Sequence, residues 1–285
     1  MVAAHGRNFL LRPRTAPDDR LAAVVRARRT DCVVGDQVAY RRLNQDQAVI
    51  ERVLPRMNRV ARSDAFRTKV IAANVDQAGV VVSGEPPFDE ALLLRVLVAL
   101  EAEAIGCLIV ASKLDLETAR AAVAPRLAVY RDLGYPVIET AAAGSPPVLG
   151  ELPARVRGKR TLLLGESGMG KSTLVNALVP GAARQTAAIS AALAAGRHTT
   201  TDTRAFELPE GGWLLDSPGF QTFEVMHLTR WQVAHAMPEF RPLLGCCRFN
   251  DCSHAADPGC AIREAAKDGR IDPLRYKLFT GIATA

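Results

Sequence analysis

The fold of this chain is decided by one stretch, Gly165-Glu166-Ser167-Gly168-Met169-Gly170-Lys171-Ser172. It has the spacing GxxxxGK(S/T) and lies between the runs RTLLLG and KSTLVNALV, which predict a strand and a helix. Glycines let backbone N–H groups turn towards a phosphate, and the N-terminus of the helix adds a favourable dipole. We predict a nucleotide-binding loop in which Lys171 reaches the β- and γ-phosphates, Ser172 holds Mg²⁺ and Thr173 adds a further contact.

A second candidate element is Asp216-Ser217-Pro218-Gly219, at the end of the run GWLLDSPG and about 45 residues after the phosphate loop. An Asp at a strand end can place its carboxylate near Mg²⁺, and a Gly three residues later can place its amide near the γ-phosphate. Such a tetrapeptide is otherwise an ordinary turn. Its distance from the phosphate loop favours nucleotide-binding roles for Asp216 and Gly219.

A candidate base-reading motif, Ser112-Lys113-Leu114-Asp115, ends the apolar run CLIVAS. GTP-binding proteins read guanine with Asn-Lys-x-Asp, in which the Asp accepts two hydrogen bonds from the guanine edge and the Lys lies along the ring face. Adenine has no matching donor pair, so Asp115 would confer selectivity for guanine. Thr140 and Ala141 follow the next predicted strand, where such proteins carry a second base-contacting element.

The order of these motifs is unusual, because the base-reading motif precedes the phosphate loop by about 50 residues instead of following it. Predicted strands alternate with predicted helices on both sides of the phosphate loop, which indicates a parallel sheet with helices on both faces. We interpret the order as a circular permutation. Residues 67–235 are therefore predicted to form a circularly permuted α/β P-loop GTPase domain.

The segment GRHTTT, residues 196–201, lies between the phosphate loop and DSPG, where a loop that closes over Mg²⁺ and the γ-phosphate belongs. Thr200 is a candidate for that closing contact, although consecutive threonines also begin β-strands. Phe220 stands where many GTPases place a water-orienting Gln, and a phenyl ring cannot orient water. His198 is the nearest candidate for the catalytic group. The alternative interpretation is that this histidine is structural or contacts RNA.

Residues 1–66 alternate short Val-rich runs with turn signals, which predicts a small OB-like β-barrel. The formal net charge of the chain is +6, and residues 1–70 hold 15 Lys/Arg against 7 Asp/Glu. This local excess suggests contact with phosphate backbones, and on charge alone a merely solubilising surface is an equally good interpretation. Because aromatic residues are sparse there, shape and phosphate recognition of folded RNA fits better than base stacking.

Four of the six cysteines lie near the C-terminus. The spacing Cys247-x4-Cys252-x-His254-x5-Cys260 supplies three thiolates and one imidazole, the ligand set of a closed structural zinc site. Cys246 could replace the neighbouring Cys247 as a ligand, but its side chain is expected to point away from the metal. Residues 236–285 are therefore predicted to form a small, mostly helical zinc-binding domain.

No apolar run reaches the ~20 residues of a membrane span, and the first twenty residues lack the pattern of a secretion signal. These observations predict a soluble, cytoplasmic protein with no membrane partner, and the three domains predicted above make it a multidomain one.

The chain resembles the RsgA or YjeQ family of GTPases that depend on the small ribosomal subunit. The resemblance is carried by IAANVDQ (residues 71–77), SKLD, GESGMGKS, GRHTTT, DSPGF and CRFNDCSHAADPGC. It implies an N-terminal OB domain, a permuted GTPase core and a C-terminal zinc domain. It also implies a late role in 30S maturation and hydrolysis stimulated by that subunit, with GTP or GDP, Mg²⁺ and one Zn²⁺ as cofactors and 16S rRNA as a partner. We expect a monomer.

Three alternatives stand beside this interpretation. The first is a permuted GTPase for large-subunit assembly, against which the zinc cluster and the basic β-domain argue. The second is a zinc- and RNA-binding module that nucleotide only regulates. An ATPase or small kinase is opposed by Asp115.

Overall fold

The structure is a computed structural model of the chain, and it describes residues 1–5, 8–25, 31–63, 66–186, 203–282 and 284. The whole GRHTTT segment, including His198 and Thr200, lies outside the described residues.

The N-terminal part of the chain is built from five short strands. They are β1 (Ala3–His5), β2 (Asn8–Leu11), β3 (Leu21–Val25), β4 (Val38–Arg42) and β5 (Gln47–Val53). Their order in the sheet is β1-β2-β3-β5-β4, with β3 and β5 parallel and the other neighbours antiparallel. A small core of its own, which includes Phe9, Leu21 and Ile50, packs on one side of these strands.

A hairpin follows outside the large sheet and forms a two-stranded sheet of its own. Its strands, β6 (Arg59–Ser63) and β7 (Thr68–Ala73), pair antiparallel with a register shift between Val60 and Ala61. The chain then enters the central α/β unit.

The central unit has the elements β8 (Gln77–Val82), α1 (Glu90–Ala102), β9 (Gly106–Ala111), α2 (Glu117–Asp132), β10 (Val137–Glu139), α3 (Leu152–Val156), β11 (Arg160–Leu164), α4 (Lys171–Leu178), β12 (Arg204–Glu207) and β13 (Trp213–Asp216). The strand order is β10-β9-β8-β11-β13-β12, and all neighbours are parallel except β12 and β13. Every residue of β8 is buried, as expected of a strand covered on both faces. Because the strands are parallel, the loops after β8, β9, β10, β11 and β13 meet at one edge.

The N-terminal strands and the central strands form one continuous sheet of 11 strands. The junction is a pairing of β1 with β12, in which Ala3 lies opposite Arg204 and the Ala205 N–H donates to the Val2 carbonyl at 2.9 Å. Val2, Ala3 and Leu10 accordingly belong to the main core. Among the described residues no pairing of β4 with β1 closes the N-terminal strands, so a closed OB-like barrel stays a prediction.

The C-terminal part is helical, with α5 (Arg230–His235), a 3-10 helix (Pro238–Leu243), α6 (Ala261–Lys267) and α7 (Pro273–Thr280). It is fixed by Arg275, whose side chain is 3% exposed and whose guanidinium donates to the carboxylate of Glu239, a side chain that is 7% exposed. The guanidinium also lies 5.2 Å from the centroid of the Tyr130 ring on α2. The buried ion pair of Arg275 and Glu239, together with the contact to Tyr130, therefore ties the C-terminal helices to the central unit, while the Arg275 Nη1 atom has no hydrogen-bond partner among the described residues.

Candidate nucleotide and zinc sites

The predicted phosphate loop connects β11 to α4 at the carboxyl edge of the sheet. Its backbone needs glycine, because Gly165, Gly168 and Gly170 have φ angles of 146°, 84° and 93°. Gly170 caps α4, and no side chain bonds the first N–H groups of that helix. Those N–H groups are therefore available to an anion at the helix N-terminus.

Lys171, the first residue of α4, is 7% exposed. Its ammonium donates to the carbonyls of Gly165 and Glu166, both at 2.7 Å, and thereby holds the two ends of the loop together. Burial lowers the pKa of Lys171, while the carboxylates of Asp216 and Glu166 raise it. A cation is thus held inside the loop at the place where phosphate charge would lie.

Asp216 ends β13 beside this lysine. Burial raises the pKa of Asp216 to about 6, against the lowering effects of Lys171 and Arg204. Its buried Oδ1 atom has no hydrogen-bond partner within the described ranges. This Asp216 oxygen and the hydroxyl of the exposed Ser172 lie in the same cleft. Both are oxygen ligands of the kind that Mg²⁺ prefers. The residues present therefore fit a magnesium ion.

Gly219 lies directly against the phosphate loop. A Cβ atom at this position would lie 2.8 Å from the Ser167 Cα and 3.2 Å from the Lys171 Nζ. The next residue, Phe220, forms a parallel bridge with Glu166. The DSPG motif therefore approaches the phosphate loop so closely that only glycine fits at position 219.

The predicted base-reading loop follows β9. Ser112 is buried, and its hydroxyl, with one proton to donate, lies within hydrogen-bonding distance of the carbonyls of Met169 and Val82. Ser112 therefore links the base-reading loop to the phosphate loop instead of pointing towards a base. Lys113 donates to the Glu85 carbonyl at 2.9 Å, and Asp115 is exposed.

The second predicted base-contacting element lies beside the first. The Leu114 N–H donates to the Thr140 carbonyl at 3.1 Å, and the Thr140 N–H donates to the Ala111 carbonyl at 2.8 Å. Thr140 is buried, and Ala141 forms a bridge with Val148. Because these bonds join the ends of β9 and β10, the loop that carries Asp115 lies beside Thr140 and Ala141.

A cleft of 600 Å³ connects these elements. It is lined by Lys113, Ser167, Gly168, Gly170, Lys171, Ser172, Thr173 and residues 216–219. Met169 is buried, and the Glu166 carboxylate accepts a hydrogen bond of 2.9 Å from the Asp89 N–H. The predicted phosphate-site residues from Ser167 to Thr173 other than Met169, together with Lys113, Asp216 and Gly219, line this cleft. The other described residues of the predicted nucleotide site do not line it: Ser112, Asp115, Thr140, Ala141, Gly165, Glu166 and Met169. His198 and Thr200 lie outside the described residues.

Sequence reasoning missed the loop after β8, residues 83–88. Gly84 packs against the Ala119 carbonyl so closely that a Cβ would clash, and Glu85 accepts the bond from Lys113. The bond between Glu85 and Pro86 is cis. The signal for this loop was a Gly-Glu-Pro-Pro run directly after a buried strand, at the edge where ligands of α/β sheets bind.

Four potential ligands come together in the C-terminal part: Cys247, Cys252, His254 and Cys260. Their ligand atoms all lie within 4.8 Å of one another. The Cys247 Sγ lies 3.5 Å from the His254 Nδ1 and 4.0 Å from the Cys260 Sγ. Tetrahedral zinc, with bonds of about 2.0–2.3 Å, places its ligands about 3.3–3.8 Å apart, so the cluster fits that ion. Cys246 is exposed and outside this group.

The cluster of three cysteines and one histidine is supported by hydrogen bonds from the surrounding residues. The Tyr276 hydroxyl donates to the carbonyls of His254 and Ala255 at 3.0 and 3.1 Å. The Cys260 Sγ caps α6 by accepting from the Arg263 N–H at 3.4 Å. These contacts fix the ligand loop on the two C-terminal helices.

The parallel sheet, the phosphate loop and the adjacent base-reading loops define the chain as a P-loop protein of the GTPase class. Residues 53–226 match the RsgA GTPase family. The small ribosomal subunit biogenesis GTPase RsgA of Burkholderia pseudomallei is 49% identical over 280 residues, covering 98% of this chain and 89% of that protein. The protein of the same name from Ralstonia pickettii is 45% identical, covering 98% and 90%. The chain belongs to the RsgA GTPase family.

Solved structures have the same fold. YjeQ from Thermotoga maritima superimposes with a TM-score of 0.71 at 27% identity, covering 98% of this chain and 94% of that one. YloQ, described as a circularly permuted GTPase, has a TM-score of 0.69 at 24% identity, covering 98% and 91%. These matches confirm the family resemblance and the GTPase fold class.

Among the described residues, no helix combines the length and the apolar character needed to cross a bilayer.

Proposed function

We propose that this GTPase converts GTP and water to GDP and phosphate during late maturation of the small ribosomal subunit, and that this subunit stimulates hydrolysis. The observation that carries the proposal is the single cleft that brings the buried Lys171, the unsatisfied Asp216 and the base-reading loop together. Near-full-length relatives with that biogenesis name supply the biological context.

In this proposal the phosphate loop, residues 165–173, binds the phosphates, with Lys171 at the β- and γ-phosphates. Ser172 and Asp216 would hold Mg²⁺, which neutralises charge on the phosphate oxygens when bound. Gly219 would donate its amide N–H to the γ-phosphate. Ser112 would position the base-reading loop through its bond to the Met169 carbonyl.

The catalytic group is assigned by elimination and stays a prediction. Phe220 is 6% exposed and packs on Phe223, with ring centroids 5.3 Å apart, so it cannot contact an attacking water. We assign water positioning to His198, and closure over the γ-phosphate to Thr200.

We also propose an OB-like, RNA-binding domain over residues 1–66, the GTPase domain over 67–235 and a zinc domain over 236–285. Small-subunit 16S rRNA is the proposed partner of a cytoplasmic monomer. Co-sedimentation with purified small and large subunits tests the partner. Binding to small subunits is expected, and exclusive binding to large subunits would favour the alternative assembly role.

Guanine selectivity is expected to depend on Asp115. In Asp115→Asn one acceptor becomes a donor, so preference should shift from guanine towards xanthine nucleotides, with GTP affinity falling by on the order of 10-fold or more. Competition binding with GTP, XTP and ATP measures the shift. Glu117→Gln, at the start of α2 two residues away, is the control and should retain GTP preference. A wild-type protein that binds ATP as tightly as GTP would show that the base-reading assignment is wrong.

One zinc ion per chain is expected at the cluster of Cys247, Cys252, His254 and Cys260. Cys252→Ser should lose the metal and unfold the C-terminal part, because that small unit depends on the ion for its stability. Metal analysis and thermal melting measure both effects. The matched control is Cys246→Ser, which removes an exposed thiol outside the cluster and should keep the zinc. An unchanged melting profile of the metal-free protein would contradict a structural zinc.

A further inference from the structure

The loop after β8, residues 83–88, contacts both nucleotide-binding loops. On one side the Lys113 ammonium donates to the Glu85 carbonyl at 2.9 Å. On the other side Pro86 lies beside the phosphate loop, where a Cβ atom at Gly168 would be 3.8 Å from the Pro86 Cγ. The base-reading loop and the phosphate loop therefore share one neighbour, which belongs to neither motif.

The bond to Glu85 anchors the far end of the Lys113 side chain. Lys113 is half-buried and lines the nucleotide cleft, and its backbone φ of 60° lies in the left-handed region that non-glycine residues rarely adopt. A lysine side chain loses up to about 2 kcal/mol of conformational entropy when it becomes ordered. Because the Glu85 carbonyl already restricts this side chain, less of that cost falls on nucleotide binding.

Glu85 is itself held by two hydroxyl groups. The buried Ser83 hydroxyl donates to the Glu85 carbonyl at 3.0 Å and accepts from the Glu85 N–H at 3.1 Å. The Thr118 hydroxyl donates to the Glu85 carboxylate at 2.8 Å. Thr118 is the second residue of α2. The residue whose carbonyl anchors Lys113 is therefore connected to a helix of the central unit.

Two further contacts hold the ends of this loop on α2. At the first end Gly84 lies so close to the helix that a Cβ atom would clash with the backbone of α2. At the other end the Arg126 guanidinium donates to the Phe88 carbonyl at 2.6 Å, and its Cζ atom lies 3.6 Å from the centroid of the buried Phe88 ring. The loop is therefore expected to keep its place when a single side-chain bond of Glu85 is removed.

We propose that Glu85 and Thr118 are positioning residues for binding of the guanine base, because their hydrogen bond fixes the carbonyl that keeps Lys113 along the ring face. The inference rests on the proposed GTPase function and adds two residues that set the affinity of its base site. A lysine stem packs on the face of any purine, whereas Asp115 reads the guanine edge. Loss of the bond between Thr118 and Glu85 should therefore weaken base binding and leave the preference for guanine over adenine intact.

Competition binding with GTP and with Mg²⁺-bound inorganic triphosphate tests the proposal, because triphosphate has no base for Lys113 to contact. In Thr118→Val and in Glu85→Ala we expect GTP affinity to fall about fivefold, the size of one hydrogen bond, and triphosphate affinity to stay unchanged. Thr118→Ser and Glu85→Gln keep the donor and the acceptor and should keep wild-type GTP affinity. The ratio of GTP affinity to ATP affinity should be that of the wild type in all four variants.

A double-mutant cycle measures whether the two residues act through Lys113. Lys113→Met removes the ammonium and is expected to lower GTP affinity by itself. Adding Thr118→Val to Lys113→Met should cause no further loss, because the Glu85 carbonyl then has no ammonium to hold. Glu117→Ala is the matched control, since it removes an exposed carboxylate from the same turn of α2 and should keep wild-type affinities.

Three results would overturn the inference. They are wild-type GTP affinity in both Thr118→Val and Glu85→Ala, equal losses for GTP and triphosphate, and a full additional loss in the Lys113→Met background. Equal losses would mean that the loop acts on the phosphates through its contact with Gly168 instead of through Lys113. A wild-type protein whose hydrolysis does not respond to small subunits would contradict the proposed function alone, since these binding measurements contain no subunit.

Discussion

Replacing Lys171 by alanine is expected to lower both GTP affinity and hydrolysis, each by on the order of 10²-fold or more, because a preorganised cation at the phosphates is lost. The structure adds a second reason. The ammonium also holds the carbonyls of Gly165 and Glu166, so its loss releases the two ends of the phosphate loop. Equilibrium binding of GTP and single-turnover hydrolysis measure the two effects.

The matched control for this change is Lys159→Ala. Lys159 immediately precedes β11, at the other end from the phosphate loop, and its ammonium donates to the Gln77 side chain at 3.1 Å. It should retain GTP binding and hydrolysis. A Lys171→Ala protein that binds GTP with wild-type affinity would contradict the assignment of the phosphate loop.

His198→Ala is expected to have a different signature. The histidine is proposed to act only when its loop closes on the subunit, so GTP affinity should stay nearly unchanged. Stimulated hydrolysis should fall by ~10²-fold or more if the imidazole positions the attacking water. Basal hydrolysis should change much less, because the buried Phe220 offers no substitute for water positioning.

The readout for His198 is the ratio of stimulated to basal hydrolysis at saturating GTP and saturating subunits. His235→Ala, on α5 in the C-terminal part, is the control and should preserve this ratio. Stimulated turnover that survives the loss of His198 would assign water positioning to backbone groups or to ribosomal RNA.

Sequence reasoning succeeded where the physical signal is local. The phosphate loop was recognisable because glycine, lysine and serine must occur at fixed offsets between a strand and a helix. The zinc ligands were recognisable for the same reason, and the structure brings Cys247, Cys252, His254 and Cys260 together.

Sequence reasoning could not reach contacts between distant segments. The pairing of Ala3 with Arg204 joins the N-terminal strands to the central sheet, and no local pattern encodes such a partner. The bond from the Ser112 hydroxyl to the Met169 carbonyl likewise spans 57 residues. From sequence Ser112 was a departure from a base-reading motif, and its link to the phosphate loop emerged only from the folded chain. The bond from the Thr118 hydroxyl to the Glu85 carboxylate is a third example.

The most direct test of the central claim is the rate of GTP hydrolysis by the wild-type protein alone, with small subunits and with large subunits, at equal nucleotide and Mg²⁺ concentrations. The proposed function predicts slow hydrolysis alone, a strong increase with small subunits and little or none with large subunits. Equal rates in all three conditions would contradict a GTPase controlled by the small subunit.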